Sequence, residues 1–215
     1  MAALPANRVF AHSAFARIAA IVTAFAIGLS GCGRGPRIDK LERDAVVLAF
    51  GDSLTFGTGA GPEEAYPAVL ERAIERRVVN AGVPGEASAE GLARLPEVLD
   101  EVHPRLLILC HGGNDFLRRL DEARAADNVR AMIRLARGSG VAVVLLATPK
   151  PGLPPSVPKF YGDIAGEFAI PLEDAVIRSV LLDNTLKSDM VHPNARGYAA
   201  MAAALQKVLA KSGAI

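Results

Sequence analysis

Ala45-Val46-Val47-Leu48-Ala49-Phe50-Gly51-Asp52-Ser53-Leu54-Thr55 runs from six apolar residues straight into a glycine and a short polar turn. An uninterrupted apolar run suits a strand buried on both faces, and a Gly-containing polar turn suits its carboxyl end. Three further runs of the same kind follow, Arg77 to Asn80, Arg105 to Cys110 and Val141 to Thr148. Between them lie Ala65 to Arg76, Ser88 to Val102 and roughly Asp121 to Arg137, each with apolar residues at helical spacing. Ser88, with Gly91 and Leu92 beyond it, predicts a capped helix start, and Gly138-Ser139-Gly140 stops the third helix. Parallel strands need crossover connections, and these cover both faces of a sheet. The alternation therefore predicts the α/β class, as a three-layer α/β/α sandwich. In such sheets, sites lie beyond the carboxyl ends of the strands, which directs attention to the residues after Phe50, Asn80 and Cys110.

The chain has 215 residues, a formal net charge of +1, 51% hydrophobic residues, two cysteines and no tryptophan. This excludes a disulfide-stapled miniprotein and a four-cysteine zinc module. It also argues against a nucleic-acid binder, which needs a basic stripe, and against wholesale disorder. Residues 1–31 hold no acidic residue and two arginines, Arg8 and Arg17, and Ile18 to Gly31 carries no charge. That run is short for a membrane span, which takes about 20 apolar residues, and has the layout of a secretory signal peptide. Its end, Leu29-Ser30-Gly31-Cys32, resembles the lipobox of bacterial lipoproteins. The resemblance implies cleavage after Gly31 and a lipid anchor on Cys32, with residues 32–44 as tether and 45–215 as the folded domain. The mature chain would have 184 of the 215 residues and a charge of −1, since Arg8 and Arg17 leave with the signal. It would be a membrane-anchored lipoprotein of the cell envelope, facing the periplasm or the exterior. Cys110, inside an apolar run, is expected as a buried core residue.

Four polar segments carry the chemistry: Gly51-Asp52-Ser53-Leu54-Thr55, Asn80-Ala81-Gly82-Val83-Pro84-Gly85-Glu86, Gly112-Gly113-Asn114-Asp115 and Asp189-Met190-Val191-His192-Pro193. A serine hydroxyl needs a base to become a nucleophile, and an imidazole base needs a carboxylate to fix its tautomer. Ser53 can supply the hydroxyl, His192 the base and Asp189 the carboxylate, the last two at i, i+3 spacing. Donors for an oxyanion are available in the Ser53 N–H, a glycine N–H of the second segment and the Asn114 amide.

In order and content these four blocks resemble the SGNH (GDSL) hydrolase family, in particular its bacterial branch of thioesterases, lysophospholipases and arylesterases, over residues 45–211. The resemblance implies a flavodoxin-like sheet of five parallel strands and a serine esterase working through an acyl-Ser53 intermediate. It implies Ser53 as nucleophile, Asp189 and His192 as its partners, and Ser53, Gly85 and Asn114 as the oxyanion hole. Gly82 competes with Gly85 for the glycine position, and Asp52 and Asp115 would hold the loops. His111 departs from the pattern, since related sequences more usually place an apolar residue there; it is expected as a non-catalytic neighbour of the pocket. No spacing among His103, His111, His192 and the cysteines suggests a metal site, and no cofactor is expected. The partner is then a small-molecule or lipid ester. An O-acetylesterase of envelope polysaccharide and a non-catalytic surface lipoprotein are the competing readings, the first disfavoured by the lack of Trp.

The stretch from Pro149 to Lys159 holds prolines at 149, 151, 154, 155 and 158, so it is neither a central strand nor a helix interior. By its place after the fourth strand it is either a wall of the site or a rigid surface connection. Met190 and Val191 are candidates for pocket lining, and Asn194 to about Lys211 for a final helix packed on the sheet.

Overall fold

The structure, a computed structural model, describes residues 1–2 and 35–215. Arg8, Arg17, the apolar run after it and Cys32 lie outside the described residues. The folded body is Pro36–Ile215. It contains five strands, β1 (Val47–Gly51), β2 (Val78–Gly82), β3 (Leu106–Cys110), β4 (Ala142–Leu146) and β5 (Leu172–Glu173). Its helices are α1 (Ser53–Phe56), α2 (Tyr66–Ile74), α3 (Ser88–Val102), α4 (Gly113–Leu117), α5 (Glu122–Gly138), α6 (Phe160–Phe168), α7 (Val176–Leu182) and α8 (Ala195–Ser212).

All strand pairs are parallel, in the order β2-β1-β3-β4-β5. Every residue of β1 and β3 is buried, as a central strand covered on both faces requires. Alternation then sorts the side chains. Val47, Ala49, Leu106 and Ile108 pack with Leu70 of α2 and with Met201 and Leu205 of α8. Leu48, Phe50, Leu107 and Leu109 pack with Leu95 of α3, Met132 of α5 and Ile164 of α6. The result is the expected three-layer α/β/α sandwich. The chain reverses its direction across the sheet between β1 and β3, and such a switch point opens a crevice at the carboxyl ends of the strands.

Three local expectations change. Residues 36–44 are not a tether: Ile38 and Leu41 are buried, and their N–H groups donate to the carbonyls of Ser212 and Ala214 at 3.0 and 2.9 Å. Apolar side chains at those two positions let the segment dock on the end of α8. Ser88 is the first residue of α3 and does not cap it; Ala87 precedes the helix and its N–H donates to Glu90 at 2.7 Å. Ser88 instead donates from both its N–H and its hydroxyl to Asp115, at 2.8 and 2.7 Å, tying α3 to the segment after β3. Finally, β2 runs two residues past Asn80, pairing Ala81 with Phe50 and Gly82 with Gly51.

Candidate active site

The first segment turns tightly after β1. Asp52 accepts the N–H of Leu54 at 3.0 Å, so it caps α1 and places Ser53 on the first helical residue, in the wall of the crevice. Asp52 itself is buried, and burial pushes its carboxyl pKa up against the opposing pull of His111, the Leu54 N–H and His192.

The histidine arrives from the other end of the chain. Asn194 caps α8 by accepting from the N–H groups of Arg196 and Gly197 at 3.0 and 3.1 Å, and its amide donates to the Thr185 carbonyl at 3.0 Å. Lys187 and Pro193 form an antiparallel bridge, so residues 188–192 close a short turn. Within it, one oxygen of Asp189 accepts the N–H groups of Val191 and His192, both at 2.8 Å. The other oxygen lies 2.7 Å from His192 Nδ1. Burial acts to raise the Asp189 pKa, but His192 and the two N–H groups outweigh it and hold the carboxyl below its usual value. His192 Nε2 then stands 3.0 Å from Ser53 Oγ. Tyr198 of α8 donates from its hydroxyl to the Thr58 carbonyl at 2.8 Å, joining the histidine-bearing and serine-bearing ends of the fold.

The two glycines of the second segment separate clearly. Gly82 is in β2, its N–H donates to Asn80 Oδ1 at 3.0 Å, and a Cβ there would lie 2.1 Å from the Phe56 backbone nitrogen. Its donor is occupied and its lack of a side chain serves packing. Gly85 has φ of +81°, and among the described residues its N–H and that of Ser53 donate to no protein group. The Asn114 amide donates to the Glu86 carbonyl at 3.0 Å and has Asp52 Oδ2 at 3.3 Å. Both amide N–H groups therefore have partners, and the longer contact to Asp52 is the weaker of the two, the one an incoming anion could displace. Asn114, Ser53 and His192 line one cavity; Gly85 is not among its lining residues and lies on the loop that Asn114 holds through Glu86.

That cavity measures about 370 Å³ and is mostly apolar, with Leu54, Leu117, Leu181, Leu182, Met190 and Val191 in its wall. The proline-rich stretch supplies one side, every residue from Pro149 to Pro155, so it is a wall of the site. It is pinned by the Lys150 and Ser156 backbones, which bond to each other, by Arg178, which donates to the Pro155 carbonyl at 2.9 Å, and by an ion pair of Lys150 with Glu122. Leu117, Leu153, Leu182 and Met190 are exposed at its rim.

Asp115 holds α3 through Ser88, and Cys110 is fully buried with its thiol pKa pushed well up by burial, an inert core position. His111 does not line the cavity; it is fully buried one layer behind it, beside Glu86. Arg94, which bonds to Glu86, and the pocket residues Leu117, Leu181 and Leu182 carry no signal in the sequence, because their part depends on contacts between distant elements. Among the described residues no group of three or more His, Cys, Asp or Glu side chains is placed to hold a metal ion. Nor is any helix among them long and apolar enough to cross a membrane.

The arrangement can deprotonate a hydroxyl beside an apolar slot and receive a developing oxyanion, which is the equipment of acyl transfer. The chain is similar to several known proteins. Over 182 residues the chain is 31% identical to the esterase TesA of Pseudomonas aeruginosa, covering 78% of this chain and 89% of that protein. It is 30% identical over 156 residues to the thioesterase 1/protease 1/lysophospholipase L1 of Escherichia coli, covering 69% and 75%. Among solved structures, TesA superposes with a TM-score of 0.69 at 28% identity, over 76% of this chain and 97% of that one. The SGNH-hydrolase esterase AlinE4 does so with a TM-score of 0.63 at 32% identity, over 80% and 98%. The model of the GDSL-like lipase/acylhydrolase family matches residues 49–200, a span that takes in the Ser53 turn, both candidate oxyanion loops and the Asp189–His192 turn. On that match and those relatives, the chain belongs to the GDSL-like lipase/acylhydrolase family.

Proposed function

We propose that this serine esterase cleaves carboxylic esters and thioesters of apolar acyl groups through an acyl-Ser53 intermediate. The observation that carries the reading is the unbroken line from Asp189 Oδ2 through His192 to Ser53 Oγ, at 2.7 and 3.0 Å, opening on an apolar cavity. Ser53 Oγ attacks the acyl carbonyl while His192 Nε2 takes its proton, and Asp189 holds the ring in the tautomer that leaves Nε2 free to accept. The carbonyl oxygen becomes an oxyanion that the N–H groups of Ser53 and Gly85 and the Asn114 amide receive. Collapse expels the alcohol or thiol, which leaves with the proton from His192. Water then repeats the sequence on the acyl-enzyme: His192 takes its proton, the acid departs, and Ser53 Oγ recovers the proton.

An amphiphilic substrate suits the exposed leucines and Met190 at the rim, which extend the apolar wall outward. We further propose that the chain is held to a cell-envelope membrane through a lipid on Cys32; the Leu29-Ser30-Gly31-Cys32 pattern supports this. Fatty-acid labelling of cells making the wild type and Cys32→Ser tests it: label lost in the variant is the expected result, and label kept would refute attachment at Cys32.

The activity is tested with the chain from residue 33 onward, with and without Ser53→Ala, on aryl esters of increasing chain length, acyl-CoA, lysophospholipid and acetylated sugars. Ser53-dependent turnover that favours chains longer than acetyl is the expected result. Turnover confined to acetylated sugars would replace the reading with a deacetylase, and no Ser53-dependent turnover would leave a binding protein.

A further inference from the structure

Beside the loops that carry Gly85 and Asn114 lies a cluster of ionisable groups, Arg94, Glu86 and His111, none of which lines the cavity. Glu86 is 7% exposed and His111 fully buried. Arg94 of α3 grips the Glu86 carboxylate with two bonds of 2.7 Å, from Nε to one oxygen and from Nη2 to the other. The same Nη2 donates to the Ala81 carbonyl at 3.0 Å. One guanidinium therefore ties together the two ends of the loop that carries Gly85. Its Cζ also lies over Phe50, 4.2 Å from the ring centroid, and the Phe50 and His111 ring centroids are 5.3 Å apart. His111 Nε2 faces Glu86 Oε2 at 3.2 Å without the alignment of a hydrogen bond, and among the described residues Nδ1 has no partner. Room for the ring comes from Gly91, where a Cβ would stand 2.5 Å from Nε2.

The cluster sits at one level of the sheet, where three strands end. Phe50 precedes Ser53 by three residues, Glu86 follows Gly85 directly, and His111 precedes Asn114 by three. The link to Asn114 is also direct, since the Glu86 carbonyl accepts the Asn114 amide at 3.0 Å. Arg118 reinforces the loop from the other side by donating to the Gly85 carbonyl. Buried charges are a weak source of net stability compared with apolar groups of the same size, and their best-attested use is to fix a unique arrangement. Here the arrangement fixed is that of the loop carrying Gly85 and of the Asn114 amide, two of the proposed donors, and an oxyanion hole works only when its donors are held in place before charge develops.

We propose that Arg94, Glu86 and His111 form a positioning clamp for the oxyanion hole, acting on the rate of the chemical step through Gly85 and Asn114. The proposal rests on the assignment of Asn114 as an oxyanion donor. It predicts an effect on kcat with little on KM, because no member of the clamp touches the acyl cavity.

The test is a double-mutant cycle on the folded chain with a short aryl ester. Arg94→Lys keeps the charge but cannot reach both Ala81 and the two Glu86 oxygens; Glu86→Gln keeps the shape and loses the charge, and serves if the first variant melts far below the wild type. Each is combined with Asn114→Ala. In the wild-type background we expect kcat to fall about 10- to 100-fold, with KM within about 2-fold. In the Asn114→Ala background the same change should cost less than about 3-fold, because a donor it positions has gone. Equal losses in both backgrounds, or a raised KM at unchanged kcat, would overturn the clamp while leaving the hole intact. Wild-type kcat in Asn114→Ala alone would instead overturn the donor assignment, and the proposal with it.

Discussion

His192 Nε2 and Ser53 Oγ lie 3.0 Å apart although 139 residues separate them in the chain. The serine is delivered by the tight turn after β1 and the histidine by the cap of α8, so the bond forms only when both ends of the fold are in place. Asp189 completes the line from within the histidine's own turn.

Asp189→Asn keeps the shape of that turn but removes the charge and lets the ring adopt the wrong tautomer. We expect kcat to fall about 10³- to 10⁴-fold, with the melting temperature little changed and KM within a few-fold. Steady-state kinetics on an aryl ester, with a thermal melt as control, checks this. A loss below about 10-fold would remove Asp189 from the reaction.

The cavity wall decides chain length. Leu182 is 48% exposed at its rim, so Leu182→Asp can fold while placing a carboxylate against the acyl chain. The ratio of kcat/KM for an octanoyl over an acetyl ester should drop by about 10-fold or more, since each methylene in such a slot contributes about 1 kcal/mol or more. An unchanged ratio would put the acyl chain elsewhere.

Gly82 and Gly85 should fail differently when changed to alanine. A Cβ at Gly82 meets the Phe56 backbone at 2.1 Å, so Gly82→Ala should be strongly destabilised, with its folded fraction keeping near-normal kcat. At Gly85 there is space, with the nearest atom at 3.8 Å, but φ is +81°. Gly85→Ala should lose about 1–2 kcal/mol of stability and a larger share of kcat as the loop shifts. Denaturant melts paired with kinetics separate the two.

Much of this was legible in the sequence, for reasons that differ by element. The limits of β1, β3, α3 and α5 follow closely from apolar runs and spacing, because central strands and the helices on them are decided by burial. The Ser53, Asn114, Asp189 and His192 positions were legible because each lies in a short polar block at a strand end or before a helix. The two-residue β5 and the helix Phe160–Phe168 gave no comparable pattern, since β5 is short and α6 follows directly on the proline-rich stretch. Ser88 reads as a cap by type, yet Asp115, 27 positions later, claims its hydroxyl. The clamp was illegible for the same reason, because it exists only where α3 crosses the ends of β1 and β3.

Acid should weaken the clamp late. Burial acts to raise the Glu86 pKa, but Arg94 and His111 hold it at about 2, against 4.5 unperturbed, with Asp52 the other carboxyl nearby. A depressed carboxylate adds stability above its unfolded value and loses it as pH falls toward the folded one. The melting-temperature difference between wild type and Glu86→Gln should therefore be full above about pH 5 and shrink steadily toward about pH 2. A difference that grows on acidification would contradict this.

The central claim, that Ser53 carries the acyl group, is tested most directly by acid-quenching the enzyme within one turnover of a slow aryl ester and locating the adduct by peptide mass spectrometry. The account predicts one acyl group on the peptide containing Ser53, with none in Ser53→Ala. An acyl group on any other residue, or turnover undiminished in Ser53→Ala, would contradict it.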